Sequence, residues 1–359
     1  MSSRRNMSTV ATKTKLSFKL YRLGTMAKSF KTLYTLPQDK VDAFLNSYNI
    51  YEHDWADEKQ LIEEMGADYY KEIKKKLVDY YSVLNHLCAI GQVEKMYIPP
   101  AMDLSQTIIA NQALFEKKMA QDLGIKKGDR VLDIGCGRGR VASHMAQVTG
   151  AHVTGINLDH GQLEAARQFA TGSGLEKQCH FQQADLNDIP FPFPDQSFNA
   201  IYQIQVFSYS KDLLKLFKEL HRILKPGGKL AFLDWIRLEK YNPQDPHHAD
   251  LMKRIKPLIG AIGTPSAEQF AELLKKAGFE VQINENASID GLQAPQIENA
   301  DKFYSRVNKV INALVGVKIL PRHFKALFDR LTKDGQAFVE ADRLRLVTTS
   351  HYVLAQKKK

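Results

Sequence analysis

The chain has 359 residues, 44% of them hydrophobic and 25% charged, which is enough apolar material for one large or two modest globular domains. Its three widely separated cysteines, Cys88, Cys136 and Cys179, indicate neither a disulfide framework nor a metal site, so a reducing compartment is expected. No apolar run approaches the roughly 18 residues of a transmembrane helix, which predicts a protein that is cytoplasmic or bound to a membrane surface.

The net charge of +10 is concentrated at the N-terminus. Eight basic residues precede Asp39, the first acidic residue: Arg4, Arg5, Lys13, Lys15, Lys19, Arg22, Lys28 and Lys31. Residues 1–38 are therefore predicted to form a flexible basic tail, which fits a mitochondrial presequence, an arm that touches an anionic membrane, or a plain disordered segment. The rest of the chain is nearly neutral, without a basic stripe of interleaved aromatics, so no nucleic-acid partner is expected.

Residues 39–124 are predicted to be helical and to cover the functional site. Apolar residues such as Val41, Phe44 and Leu61 recur at helical intervals, and a further helix is expected from about residue 105 to 123. The segment 79–91 is expected to lead up to the site, with an ordinary buried helix as the alternative.

The stretch from Val131 to Arg140 predicts a buried strand that runs into a glycine turn and then a helix. Gly135, Gly137 and Gly139 allow a tight turn that a ligand can approach closely, and the helix N-terminus favours an anionic or carboxylate-bearing ligand. The G-x-G-x-G spacing is not the dinucleotide fingerprint G-x-G-x-x-G, which makes an NAD enzyme the weaker interpretation. A turn that only connects two elements is the other alternative.

After this loop, strand-like and helical segments alternate. Strands are predicted at 153–156, 179–182, 199–204, 229–233 and 279–283, with helices between them and a tight turn at 225–228. Such alternation is typical of an α/β fold with a doubly wound, mostly parallel sheet. We place this core at 125–287, with an insertion at 241–263. Residues 288–359 are expected to add a capping region with one helix and two strand-like segments, 344–347 and 351–354.

An aspartate before G-x-G-x-G at the end of a first strand resembles the cofactor loop of class I S-adenosylmethionine (SAM) methyltransferases. The resemblance implies a Rossmann-like fold and SAM as cofactor. Asp133, Gly135 and Gly137 would hold its amino-acid part. Asn157, in place of the usual acid, would bind the ribose, and Asp185 would accept a hydrogen bond from the adenine amino group. Further cofactor candidates are Cys136, Leu158, Gln162, Leu186 and Gln203; for Gln162 and Asp159 helix capping is an alternative.

From about Tyr80 to the C-terminus the chain resembles the sterol 24-C-methyltransferase family. The residues that carry the resemblance are 131–139, 194–198, 222–228, Asp234 with Trp235, Tyr241 with Asp245 and His248, 338–341 and 352–357. It implies C-methylation of a hydrophobic acceptor, such as a sterol or triterpenoid.

The chain departs from that family where the family carries acidic and aromatic residues. Residues 88–93 replace an aromatic residue and a Glu before Gly-Trp-Gly, and residues 259–261 replace Glu-Tyr-Gly. Gln205 stands in place of a Glu and Tyr209 in place of a His. Methylation of an alkene creates a carbocation that such groups stabilise and a proton that a base removes, so these departures bear directly on the reaction.

An apolar acceptor site is predicted from Cys88, Ile90, Phe207, Leu258, Ile259 and Ile262, although core packing explains the same pattern. Tyr209, Gln205 and Tyr81 are candidates for orienting the acceptor. We hypothesise a SAM-dependent methyltransferase of a hydrophobic small molecule. The alternatives are O-, N- or S-methylation of a more polar metabolite and a non-catalytic SAM-binding relative. The pattern indicates no oligomeric state.

Overall fold

The computed structural model describes residues 23–91 and 93–358, and within them a seven-stranded sheet forms the centre. Its strands are β1 (Arg130–Ile134), β2 (His152–Asn157), β3 (Cys179–Gln183), β4 (Phe198–Ile204), β5 (Leu224–Arg237), β6 (Phe279–Asn286) and β7 (Val347–Lys357). The spatial order is β3-β2-β1-β4-β5-β7-β6, with β7 antiparallel to both of its neighbours and the pairs from β3 to β5 parallel. The predicted doubly wound, mostly parallel sheet is confirmed.

Helices cover both faces of this sheet. In chain order they are α1 (23–34), α2 (Gln38–Ser47), α3 (Glu58–Met65), α4 (Tyr69–Ile90), α5 (Ile108–Leu123), α6 (Arg140–Thr149), α7 (His160–Gly172), α8 (Leu213–Ile223), α9 (Pro246–Ile259), α10 (Ala267–Lys276), α11 (Ala294–Gly316), α12 (His323–Thr332) and α13 (Gly335–Arg343). One buried cluster joins α5, α6 and α7 to residues such as Val131 and Tyr202, and a second joins α8 and α10 to Leu132 and Phe232. Neighbouring strand residues thus face opposite layers, as period-two alternation requires.

Strand β7 is longer than the two strand-like segments predicted from the sequence. It is continuous through Thr348, Thr349 and Ser350, which are polar but buried. Thr349 and Ser350 find partners in the segment between β6 and α11: Thr349 Oγ1 donates to Gln293 Oε1 over 3.0 Å, and the Ser350 and Ser288 hydroxyls lie 2.7 Å apart. The polar run breaks the apolar pattern without breaking the strand, and residues 344–346 lie outside it.

Two further predictions differ from the structure. Residues 225–228, expected as a turn, lie within β5, where the register against β4 shifts between Phe198 and Ala200. In the predicted flexible tail, residues 23–34 form α1. Leu33 of this helix is buried, and the Leu33 carbonyl oxygen lies 2.8 Å from His323 Nε2. Packing against α12 therefore corrects the prediction for that part of the tail, while residues 1–22 lie outside the described residues.

A third buried cluster holds α2 and α4 against α12 and part of α11. Tyr51, in the 3₁₀ helix Tyr48–Glu52, and Tyr80, in α4, lie in its interior, with ring centroids 5.3 Å apart. The insertion at 241–263 contains α9, which is capped by Asp245 and ends at Gly260 with φ of 68°. Among the described residues, no helix has the length and apolar character needed to cross a membrane.

Candidate active site

A pocket opens at the carboxyl ends of β1, β2 and β4, where the strand order reverses between β1 and β4. Ligands bind at such reversal points in open α/β sheets because the loops leave the sheet in opposite directions there. The predicted site residues that line it are Asp133, Gly135, Cys136, Gly137, Asn157, Leu158, Gln162, Asp185, Leu186, Tyr81, Gln205 and Tyr209. The fold therefore brings together residues that were selected from five separate stretches of sequence.

The glycine loop between β1 and α6 is built on left-handed backbone. Gly135, Gly137 and Gly139 have φ of 71°, 52° and 69°. A Cβ on Gly135 would lie 2.8 Å from Cγ1 of Val206 and closer still to Cγ2, and a Cβ on Gly139 would lie 2.7 Å from the Phe181 ring. At these two positions the protein's own side chains require glycine, in addition to the ligand approach that the sequence suggested.

Asp133, the penultimate residue of β1, is a buried carboxyl inside the pocket. It pairs in register with Tyr202 of β4, whose hydroxyl donates to Asp133 Oδ2 over 2.9 Å. Burial, reinforced by the negative charge of Glu116 and opposed by the Tyr202 hydrogen bond, raises the pKa of Asp133 to about 8. A carboxyl in this state gains most from a cationic ligand, because a nearby positive charge restores its ionised form.

Binding of SAM through its ammonium is expected to release up to one proton from Asp133 at pH 7. The carboxyl is mostly protonated in the free protein below pH 8, so affinity rises as pH increases from 6 to 8. Calorimetric titrations in buffers of different ionisation enthalpy count the protons released. Asp133→Asn, which keeps an acceptor for Tyr202, should bind SAM with no such buffer dependence. An unchanged proton count in this variant would exclude Asp133 as the titrating group.

The ends of β2 and β3 supply the next polar groups. Asn157 ends β2 and borders the pocket. Asp159 also borders the pocket, and its Oδ1 accepts from the Gly161 amide over 2.7 Å and caps α7. Asp159 therefore caps the helix, and its role toward the cofactor stays a prediction. Gln162, in the first turn of α7, is buried, and its Oε1 lies 3.1 Å from where a Cβ on Gly137 would stand. A side chain at Gly137 would thus press on Gln162 within the pocket wall.

Asp185 follows β3 and is already engaged by α4. The Tyr70 hydroxyl lies 2.7 and 2.8 Å from its two carboxylate oxygens, and Lys74 Nζ is 2.8 Å from Oδ2. Asn187 extends the contact, because its Nδ2 donates to the Tyr70 hydroxyl over 2.7 Å and to the Tyr209 carbonyl over 2.9 Å. Asp185, the predicted hydrogen-bond acceptor for adenine, thus also binds Tyr70 and Lys74 of α4 at the pocket. Tyr70 and Lys74 were not predicted from the sequence.

The side chains of two glutamines that the sequence suggested as site residues make hydrogen bonds to other groups of the protein. Gln203 is fully buried outside the pocket lining; its Nε2 donates to Asp234 Oδ2 over 2.8 Å and its Oε1 accepts from the Val206 amide. Gln205 lines the pocket, but its Nε2 donates to the carbonyls of Ile98 and Thr349. Gln203 as a cofactor ligand and Gln205 as an acceptor-orienting group are therefore corrected, since both side-chain amides satisfy buried polar groups.

Three tyrosine hydroxyls meet at one end of the pocket. Tyr209 Oη lies 2.7 Å from Tyr81 Oη and 3.4 Å from Tyr51 Oη. Gly260 leaves room for them, because a Cβ there would be 2.7 Å from Tyr209 Oη and 3.3 Å from Tyr81 Oη. Burial raises the pKa of Tyr81 to about 12 and the pKa values of Tyr51 and Tyr209 well above their ordinary value, so all three remain hydroxyls at physiological pH. Tyr51 could not be found from periodicity because it comes from a short 3₁₀ helix.

The apolar wall is formed by other residues than those predicted. Cys88, Ile90, Phe207, Leu258, Ile259 and Ile262 do not line the pocket, and the packing of the last five in the buried clusters favours the core alternative for them. The wall comes instead from Leu77, Val78, Tyr81 and Asn85 of α4 and from the segment that contains Met96. Leu77, Tyr81 and Asn85 recur every four residues, which was the available sequence signal for one helix face.

Comparison with known proteins agrees with this geometry. Residues 132–232 match the family described as methyltransferase domain. A sterol 24-C-methyltransferase of Gibberella zeae is 29% identical over 327 residues, covering 84% of this chain and 83% of that protein. A cycloartenol-C-24-methyltransferase of Arabidopsis thaliana is 25% identical over 309 residues, covering 82% and 89%. A geranyl diphosphate C-methyltransferase from Streptomyces coelicolor, solved with S-adenosyl-L-homocysteine, has a TM-score of 0.52 at 18% identity and covers 80% of this chain and 82% of its own.

The sheet order, the glycine loop and the matched domain define a class I SAM-dependent methyltransferase. Within that class the chain resembles the sterol 24-C-methyltransferases over more than four fifths of its length.

The pocket fits SAM by the chemistry of its lining. An uncharged buried carboxyl at the end of β1 suits an ammonium, an amide at the end of β2 suits a ribose hydroxyl, and the left-handed glycine loop provides exposed backbone between them. SAM supplies an electrophilic methyl group on a sulfonium. The protein's own contribution to such a transfer is to hold the acceptor in line with that methyl and to exclude water.

Proposed function

We propose that the chain methylates a carbon atom of a hydrophobic, sterol- or triterpenoid-like small molecule. The pocket wall supports this proposal, because Leu77, Val78 and Met96 line the same pocket as the glycine loop and as the hydroxyl-bearing side chains of Tyr81 and Tyr209. Such a surface suits an apolar acceptor with few polar groups. The similarity to sterol and cycloartenol C-24-methyltransferases supports the same acceptor class.

The geometry also supports a carbon acceptor despite the missing family acids. Tyrosine rings and hydroxyl oxygens stabilise a developing positive charge, and Tyr81 and Tyr209 have ring centroids 6.3 Å apart at the pocket end. Glu94 adds an acidic side chain to the same lining and is paired with Arg140, whose Nε lies 2.8 Å from Glu94 Oε2. O-, N- or S-methylation of an acceptor that is already nucleophilic needs less of this machinery and is the second candidate.

A product assay with methyl-labelled SAM distinguishes these candidates. The full chain is incubated with sterols, triterpenes and smaller phenols, and products are located by mass spectrometry and NMR. We expect label on carbon in one lipid class. Label on oxygen, nitrogen or sulfur would replace the first candidate by the second. SAM binding without turnover on any acceptor of the panel would support a non-catalytic relative.

We further propose that residues 39–124 act as the cover of the site. The Tyr70 and Lys74 contacts to Asp185 support this role, because they join α4 to the carboxyl end of β3. For residues 1–38 the proposed role is contact with an anionic membrane, with a cleaved mitochondrial presequence as the alternative. The mass of the native N-terminus separates the two, since only the presequence is removed.

A further inference from the structure

The outward side of α11 carries an unusual row of apolar side chains. Phe303, Val310 and Val317 recur every seven residues with exposed fractions of 47%, 59% and 66%, and Ile319 in the following loop is 60% exposed. Seven-residue spacing places Phe303 and Val310 in one row along the helix, and Val317, directly after its last residue, continues that row. A helix on a protein surface normally turns polar residues to water, so this row is an apolar surface in need of a partner.

A basic row runs beside the apolar one. Lys302, Arg306 and Lys309 are exposed at helical intervals, and Lys318 follows in the loop. The exposed residues between 299 and 319 include no Asp or Glu. Lysine is depleted from the centres of protein interfaces, whereas large apolar residues flanked by Lys and Arg are typical of helices that lie in a membrane interface.

Helix α1 adds a second surface of the same kind next to the α11–α12 loop. Leu23, Phe30 and Tyr34 are 59%, 39% and 47% exposed, and Lys28 and Lys31 are exposed between them. The Phe30 and Tyr34 rings both contact the ring of the buried α12 residue Phe324, with centroids 5.6 and 6.4 Å from it. Half of the exposed large apolar side chains in the described residues belong to α1, α11 and the loop after α11.

We propose that the outer face of α11, together with residues 317–319 and α1, rests on a bilayer surface that contains anionic lipids. The basic row is complementary to the negative leaflet, and the apolar row enters the acyl boundary. The adjoining side of α11 packs through Ile311 into the cluster that contains Leu77 of the pocket wall. The membrane contact therefore lies one helix away from the pocket. It extends the contact proposed for the tail to the folded body and does not depend on the identity of the acceptor.

Sedimentation of the full chain with phosphatidylcholine vesicles, with and without phosphatidylserine, tests this surface. We expect binding to anionic vesicles that is weakened roughly tenfold or more by the triple change Phe303→Ser, Val310→Ser and Val317→Ser. Arg306→Gln with Lys309→Gln should weaken binding and reduce its salt dependence. The matched control replaces three exposed apolar residues elsewhere, Leu104, Ile109 and Val148, by serine and should bind as the wild type does.

Calorimetric SAM binding verifies that each variant is folded. Equal vesicle binding by the α11 triple variant and the wild type would overturn the proposal, as would absence of wild-type binding. Loss of binding only when the six basic residues within 1–22 are changed to glutamine would assign the contact to the tail alone. A concentration-dependent dimer that the triple variant dissociates, without vesicle binding, would make this face an interface between two copies.

Discussion

Replacement of Gly135 by alanine is expected to weaken SAM binding by at least about 100-fold, or roughly 2.7 kcal/mol. The residue has φ of 71°, where an L side chain costs about 1–2 kcal/mol. The new Cβ would also clash with both γ-methyl groups of Val206, and over-packing of this kind adds about 1–3 kcal/mol. The loop can relieve both by moving away from Val206, which would disturb the hydrogen bonds from the Gly135 and Cys136 amides to the Ile156 carbonyl and shift this part of the pocket wall. Calorimetry with SAM measures the loss.

Two further variants separate the causes. Gly174 has φ of 68°, but a Cβ added there would meet no heavy atom within 4 Å, and the residue lies outside the pocket lining. Gly174→Ala should therefore lower the melting temperature without changing SAM affinity. Val206→Ala in the Gly135→Ala background removes the clash and should restore part of the affinity, whereas Val206→Ala alone should have a small effect. If Gly135→Ala binds SAM as the wild type does, the packing role of this glycine is wrong.

The parts of the fold that follow from local pattern could be predicted from the sequence. Residues 131–134 and 199–204 are short, mostly apolar stretches interrupted by Asp133, Asn199 and Gln203, and such stretches indicate strands buried on both faces of a parallel sheet. The polar residues Thr348 to Ser350 hide the continuity of β7, because their partners Gln293 and Ser288 lie about 60 residues earlier in the chain. A pattern read along the chain contains no information about such distant hydrogen bonds, so a buried polar strand resembles a turn.

The site residues show the same difference between what the local sequence predicts and what distant contacts decide. Asp133, Asn157 and Asp185 follow buried strands, and the carboxyl ends of parallel strands must meet at one edge, so their convergence was predictable. Tyr70 and Lys74 were missed because helical periodicity does not show which face of α4 meets the pocket. Gln205 was misassigned because its partner, Ile98, lies in an irregular segment more than 100 residues earlier. A residue's position at the end of a strand can thus be predicted from the local sequence, whereas the hydrogen-bond partner of its side chain depends on backbone that is distant in the chain.

The hydroxyl of Tyr209 is expected to matter for turnover and hardly for cofactor binding. Its oxygen lies 2.7 Å from that of Tyr81, and both residues line the pocket but are not among those expected to hold SAM. Tyr209→Phe keeps the ring and removes one hydroxyl, so kcat should fall by about 10- to 100-fold, roughly 1.4 to 2.7 kcal/mol, while the Kd for SAM is retained. Steady-state kinetics with the acceptor found in the product assay, and calorimetry with SAM, give the two values.

The expected effect of Tyr209→Phe also has a defined dependence on pH, and two other tyrosine variants serve as comparisons. Because burial raises the pKa of Tyr81 to about 12 and that of Tyr209 well above its ordinary value, both hydroxyls keep their protons, and the loss of kcat should be equal from pH 6 to 9. Tyr81→Phe should lose a similar factor, and the double variant little more, since hydrogen-bonded hydroxyls act as one unit. Tyr352→Phe also removes a hydroxyl, which donates to Asp122 Oδ2 over 3.0 Å outside the pocket lining, and should lower stability without changing kcat. An unchanged kcat in Tyr209→Phe would show that the tyrosine cluster packs α4 against the loop after β4 and takes no part in methyl transfer.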